Sequence, residues 1–198
     1  MQIRAPAILL AARSHGETAV IARLLTEEFG MVAGYVAGGR GRQLRPVVIP
    51  GNLVALDLRA RSDSQLPFAR LELVESRGPW LSEPLPAAAI QWVTALTASA
   101  LPERHAYPSL YSALSALLDA ICQAPSARGW APALLAYEAL LLRELGYGGT
   151  RPDAGDLAEV LSAMEKLADP LQRYLLADRR GDMLAAREQL LARLRKMI

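Results

Sequence analysis

Cysteine is nearly missing from this 198-residue chain. Its single thiol, Cys122, can neither close a disulfide within the chain nor build a cysteine zinc site, and it points to a reducing compartment. Histidine occurs twice, at His15 and His105, and neither sits in a metal-ligand spacing. The only lysines, Lys166 and Lys196, do not follow a glycine run, which excludes a Walker-type phosphate loop. Gly39-Arg40-Gly41 opens like a dinucleotide fingerprint, but Leu44 stands where its third glycine belongs. No Gly-x-Ser-x-Gly elbow is present. Glu27 and Glu28 are adjacent at a turn, where paired acids are solvated. Nothing assembles a nucleophile, a base and oxyanion donors, so the chain reads as a non-enzyme with no cofactor and no metal.

Long apolar runs are also scarce. Ala5 to Ala12 follows Arg4 as a leader peptide would, but it is short and continues into strand-like sequence. Pro84 to Pro102 carries no charge. Its helix-competent part, Ala87–Leu101, would extend roughly 22 Å, short of the ~30 Å hydrocarbon core of a bilayer. A buried core helix is the better reading, and a cytoplasmic protein with no membrane partner is expected.

Apolar residues make up 52% of the chain, enough to build a core. Net charge is only +2, but it is unevenly placed. Residues 1–80 hold ten arginines against seven acidic side chains, whereas the remainder is close to neutral. The first ~76 residues read as strands. Pro6–Arg13, Ala19–Thr26, Met31–Ala37, Val47–Ile49, Leu53–Arg61 and Phe68–Val74 are short runs separated by turn residues such as His15-Gly16, Gly38-Gly39 and Pro50-Gly51-Asn52. Leu56 and Leu58 alternate with Asp57, Arg59 and Arg61. Phe68 reads as a core residue of the last strand. Such spacing predicts a small five-stranded barrel or sandwich.

After Gly78-Pro79-Trp80 the apolar period becomes helical. Ala87–Leu101, Ser109–Cys122, Trp130–Leu145, Ala154–Ala168, a short piece near Pro170–Leu176, and Gly181–Met197 are predicted helices. Gly146 suits a helix C-terminus, and Asp156 and Asp182 suit caps. The expected fold is therefore α+β, with a β domain over residues 1–78 and an all-α domain over 79–198.

Between two of the apolar runs lies Ala37-Gly38-Gly39-Arg40-Gly41-Arg42-Gln43-Leu44-Arg45-Pro46. Arginine keeps its charge near neutral pH, and its planar fork matches phosphate. Glycines allow close approach of backbone to ligand. A flexible cationic loop on a β scaffold is suited to a nucleic-acid backbone. Arg40, Arg42 and Arg45 are the predicted phosphate contacts, with Arg13, Arg59 and Arg61 as further positions. Tyr35, just before the loop, is placed to support a base or ribose. Charge is expected to contribute more than stacking, so binding should weaken steeply with salt.

Several segments, taken in order, resemble the RecO family of bacterial recombination mediators. They are Ala7–Glu17, Leu24-Leu25-Thr26-Glu27-Glu28-Phe29-Gly30, the arginine loop, Ile49–Leu58, and Tyr137-Glu138-Ala139-Leu140-Leu141-Leu142-Arg143-Glu144-Leu145-Gly146-Tyr147. The resemblance implies an oligonucleotide-binding (OB) barrel followed by a helical domain. It also implies binding to single- and double-stranded DNA, annealing of complementary strands, and help in loading RecA. The implied partners are RecR and the acidic C-terminal tail of single-stranded-DNA-binding protein (SSB). That tail would dock in the helical domain at an apolar cleft with an arginine, for which Arg104, Arg128 and Arg143 are eligible. The chain departs from the family pattern in three places. Gly148–Asp153 runs straight to the next helix where many members carry a four-cysteine zinc module. The basic run is short and has no lysine. Gly51 replaces a phenylalanine. The alternatives are a protein-interaction adaptor whose barrel never touches DNA, and a hydrolase or transferase with an unrecognised site.

Overall fold

A computed structural model describes residues 2–60, 65–149, 153, 155–177 and 182–198; Arg61 lies outside the described residues. Among these residues five strands, β1 (Gln2–His15), β2 (Ala19–Thr26), β3 (Gly30–Val36), β4 (Leu53–Arg59) and β5 (Phe68–Glu75), are followed by five α-helices. These are α1 (Pro84–Ala100), α2 (Pro108–Gln123), α3 (Ala131–Glu144), α4 (Leu157–Pro170) and α5 (Asp182–Arg195). The chain forms two compact units. Met1–Ser82 with Leu101–Tyr111 makes the first, and Glu83–Ala100 with Ser112–Ile198 makes the second.

The strands close into a barrel in the order β1-β2-β3-β5-β4. β1 is long enough to serve two neighbours. Gln2–Ile8 pairs with β4 and Ala7–His15 pairs with β2, and a register shift between Leu9 and Ala11 bends the strand from one to the other. Every pairing is antiparallel except the closing one, a parallel bridge between Tyr35 and Phe68. The alternation read from the sequence fills the barrel with Leu9, Leu24, Val32, Val36, Val54, Leu56, Leu58 and Leu71.

Segment 101–111 folds back onto the barrel. Arg104 N–H donates to Met31 O (2.8 Å), and Arg23 pairs with Glu103 across 3.6 Å. Gly30, at φ +67°, is pressed against this segment, and a Cβ there would stand 2.0 Å from His105 O. Only glycine fits.

Two expectations need correction here. Val47–Ile49 is not a strand. Leu44 O accepts from both Val47 N–H (2.9 Å) and Val48 N–H (3.0 Å), so the apolar triplet completes a run of turns. Its residues pack on the barrel from outside the sheet, which an apolar run alone does not distinguish from a strand. Phe68 is not core either. It is 59% exposed, because Ala69 and Leu71 occupy the inward positions of β5.

The helical unit follows its predicted period closely. Asp156 caps α4 by accepting from Glu159 N–H (2.9 Å). α3 ends on Gly146 at φ +84°, with Tyr147 N–H donating to Leu142 O and Gly146 N–H to Arg143 O. Cys122 is buried on α2. Among the described residues, no helix is long and apolar enough to cross a membrane.

Candidate nucleic-acid interface

The arginine segment is folded rather than loose. Gly41 N–H donates to Gly38 O (2.8 Å), and Gly41 O accepts from Leu44 N–H (3.2 Å) and Arg45 N–H (2.9 Å). Leu44 packs against the barrel core, so this helical turn is anchored by one apolar side chain. Gly39 lets the backbone lie against β2, since a Cβ there would meet Val20 Cγ2 at 2.6 Å. Asn52 holds the far end. Its buried amide donates to Pro46 O (2.9 Å) and Val47 O (3.0 Å), and its Oδ1 accepts from Arg77 N–H (2.7 Å). Nothing in the local sequence marks Asn52 as a tether, because its side-chain partners come from two separate stretches of chain.

The predicted arginines differ in what they are doing. Arg40 is laced to the β1–β2 turn. Its backbone N–H donates to Thr18 O (2.9 Å), and its Nη1 donates to Gly16 O (3.3 Å) and Glu17 O (3.1 Å). Arg42 and Arg45 are exposed, three positions apart on the same turn, and neither has an ion pair among the described residues. Arg13 is exposed near the end of β1. Arg59 is engaged in a fork with Asp57, at 3.0 Å from Nε and 2.7 Å from Nη2. Arg4 adds a third bond to the same carboxylate (3.2 Å).

That fork holds the Asp57 carboxyl at about 2, well below its ordinary 3.8. The Arg59 hydrogen bond is the main cause, opposed by desolvation and assisted by Arg4. The folded-state value is depressed, so the stabilisation is present above the ordinary carboxylate range and is lost as pH falls toward about 2. Near neutral pH the pair is a fixed, internally neutralised unit.

Beside the segment lies a groove of about 590 Å³, lined by Tyr35, Gln43, Leu44, Phe68 and two acid–arginine pairs, Asp57–Arg59 and Glu72–Arg70. The two lining rings, Tyr35 and Phe68, belong to a cluster of three completed by His15. Tyr35 stands edge-on to Phe68 (5.3 Å between centroids, 75°) and to His15 (5.8 Å, 88°). Barrel closure creates this cluster: Tyr35 N–H donates to Pro67 O (2.8 Å), which sets the two rings side by side on the outer face. The structure thus brings Tyr35 together with Arg59 at the groove and adds Phe68 and Arg70, which the sequence reading missed. The signal for Phe68 was its strand parity, shared with the charged Arg70 and Glu72 rather than with Leu71.

The three arginines proposed for a tail pocket stand in different settings. Arg104 belongs to the barrel unit, at φ 59°. Arg128 donates to Met197 O (2.7 Å). Arg143 borders an apolar pocket, of about 180 Å³, with Ala136, Ala139 and Leu140 of α3.

Comparison with known proteins agrees with this architecture. Residues 1–77 match the family described as Recombination protein O N terminal, and residues 82–149 match Recombination protein O C terminal. The chain is 44% identical over 143 residues to the DNA repair protein RecO of Rhodospirillum centenum, covering 72% of this chain and 56% of the relative. It is 41% identical over 143 residues to that of Caulobacter vibrioides strain NA1000 (72% and 58%), and 39% over 149 residues to that of Phenylobacterium zucineum (75% and 60%). The chain thus spans somewhat more than half the length of these relatives.

Proposed function

The chain belongs to the recombination protein O family, and from that premise we propose that it is a DNA-repair mediator that acts by binding rather than by covalent catalysis. In this reading the barrel holds single- and double-stranded DNA, and neutralised phosphates let complementary strands approach and anneal. With RecR, the protein then helps load RecA onto strands coated by SSB. The observation that carries the reading is the folded cationic turn, where Arg42 and Arg45 stand exposed and uncommitted at the side of an aromatic groove. Free guanidinium groups on a rigid turn are available to phosphate oxygens, whereas the Arg59 fork is already filled. Arg13, exposed near the end of β1, is an outer contact in this reading, and Arg40 serves first to pin the turn.

Fluorescence anisotropy of a labelled single strand, followed from about 50 to about 200 mM salt, tests this. Log affinity should fall linearly with log salt, by about 0.7 per phosphate neutralised on a single strand. An adaptor barrel that never touches DNA would leave the anisotropy flat at every salt concentration.

The Arg143 pocket supports the second part of the proposal. A carboxylate-ended, acidic tail with an apolar side chain would fit a cleft that combines Ala136, Ala139 and Leu140 with a guanidinium. Arg143→Ala should weaken binding of a peptide of the SSB tail about tenfold and leave oligonucleotide affinity unchanged. Unaltered peptide affinity would remove Arg143 from the docking site.

A further inference from the structure

We propose that the groove beside the arginine turn takes the unpaired bases of single-stranded DNA, with Phe68 as the stacking platform and Arg42 and Arg45 on the phosphates outside. The inference rests on the DNA-binding reading above and adds which way round the strand lies. Three observations carry it.

Phe68 is 59% exposed on the outer face of β5, and its parity assigns it no part in the barrel core. Its ring is held edge-to-face by Tyr35, whose own ring is braced by His15. A fixed, accessible aromatic face of this kind stacks on any base.

The charged side chains that line the groove are equal in number of each sign. Asp57 is occupied by Arg59 (2.7 Å), and Glu72 lies 3.8 Å from Arg70. Two carboxylates make this a poor bed for phosphates. Carboxylate and guanidinium groups together suit base edges, which carry both amino donors and carbonyl acceptors.

The unbalanced charge sits on the neighbouring turn, at Arg42 and Arg45. A strand laid with its bases inward would present its backbone to that charge. An intact duplex has its base faces stacked and hidden, so it can use the arginines but not the ring.

The test compares three labelled ligands of equal length by anisotropy at one salt concentration: an oligothymidylate, an abasic deoxyribose-phosphate strand, and a duplex. Phe68→Ala should weaken oligothymidylate binding by roughly tenfold or more, as expected for loss of one stacked base. Affinity for the abasic strand and for the duplex should change by less than about twofold. Phe68→Trp should keep the native affinity, and Phe68→Leu, which retains apolar bulk without a π face, should lose it. An unchanged oligothymidylate affinity in Phe68→Ala would overturn the inference, as would an equal loss on the abasic strand. In either case a native, salt-dependent affinity would leave the arginine reading standing. A native protein that binds none of the three ligands would overturn both.

Discussion

Replacing Arg187 with methionine should destabilise the helical unit by about 3–5 kcal/mol, the cost of leaving a buried charge without its partner. Arg187 is 2% exposed and Glu138 is fully buried. The guanidinium donates Nε to Glu138 Oε1 (2.9 Å) and Nη2 to Oε2 (2.6 Å), and the same Nη2 donates to Met164 O (2.7 Å). Trp92 Nε1 donates to the first carboxylate oxygen at 2.8 Å. Side chains from α1, α3 and α5 and a carbonyl of α4 therefore share one buried polar knot. Such a pair contributes little net stability over an apolar core of the same shape, but half of it is strongly destabilising. For a chain of this size the loss corresponds to a fall in Tm of roughly 6–20 °C, readable by circular dichroism. The double variant Glu138→Gln/Arg187→Met should recover most of it, because glutamine keeps an oxygen for Trp92 without the charge. A single-variant Tm within about 2 °C of the native value would show that the knot does not hold the helices together. Arg187 lies beyond residue 149, where the family match ends, so the later helices complete this core rather than trail from it.

The balance between legible and illegible features follows from the range of the interactions. Barrel and bundle could be read because period-two and period-3.6 patterns are local, and because Gly146 and Asp156 mark helix ends through backbone geometry. The candidate site was legible only in part. Arg42 and Arg45 could be named from charge and glycine spacing alone. That Arg40 would be drawn to Gly16 O and Glu17 O depends on a turn more than twenty residues away. The Arg59–Asp57 fork was within reach of the sequence, since residues two apart on a strand share a face. The exposure of Phe68 was hidden by the habit of reading an aromatic in a strand as core, although its neighbours already gave its parity. Glu138 sits inside the family-like helical signature, but its partner is 49 residues on and carries no local mark.

Substituting Arg42 and Arg45 together by alanine should weaken single-strand binding roughly tenfold, or about 0.7 kcal/mol per charge, within the range of exposed ion pairs. The more diagnostic effect is on salt dependence. Two phosphate contacts removed from a single strand should lower the slope of log affinity against log salt by about 1.4. Thermal stability should stay within about 0.5 kcal/mol of native, because neither guanidinium has a partner among the described residues. Arg40→Ala provides the contrast. Its fork is turned onto carbonyl oxygens, so that variant should shift the slope less than either of the other two. The decisive comparison is the salt slope of the Arg42/Arg45 variant beside that of the native chain on the same labelled oligonucleotide. A flatter line in the variant, with its Tm unchanged, is the predicted result. Parallel lines would mean that this turn does not hold phosphate, and the assignment of the barrel as the DNA-binding surface would fail with it.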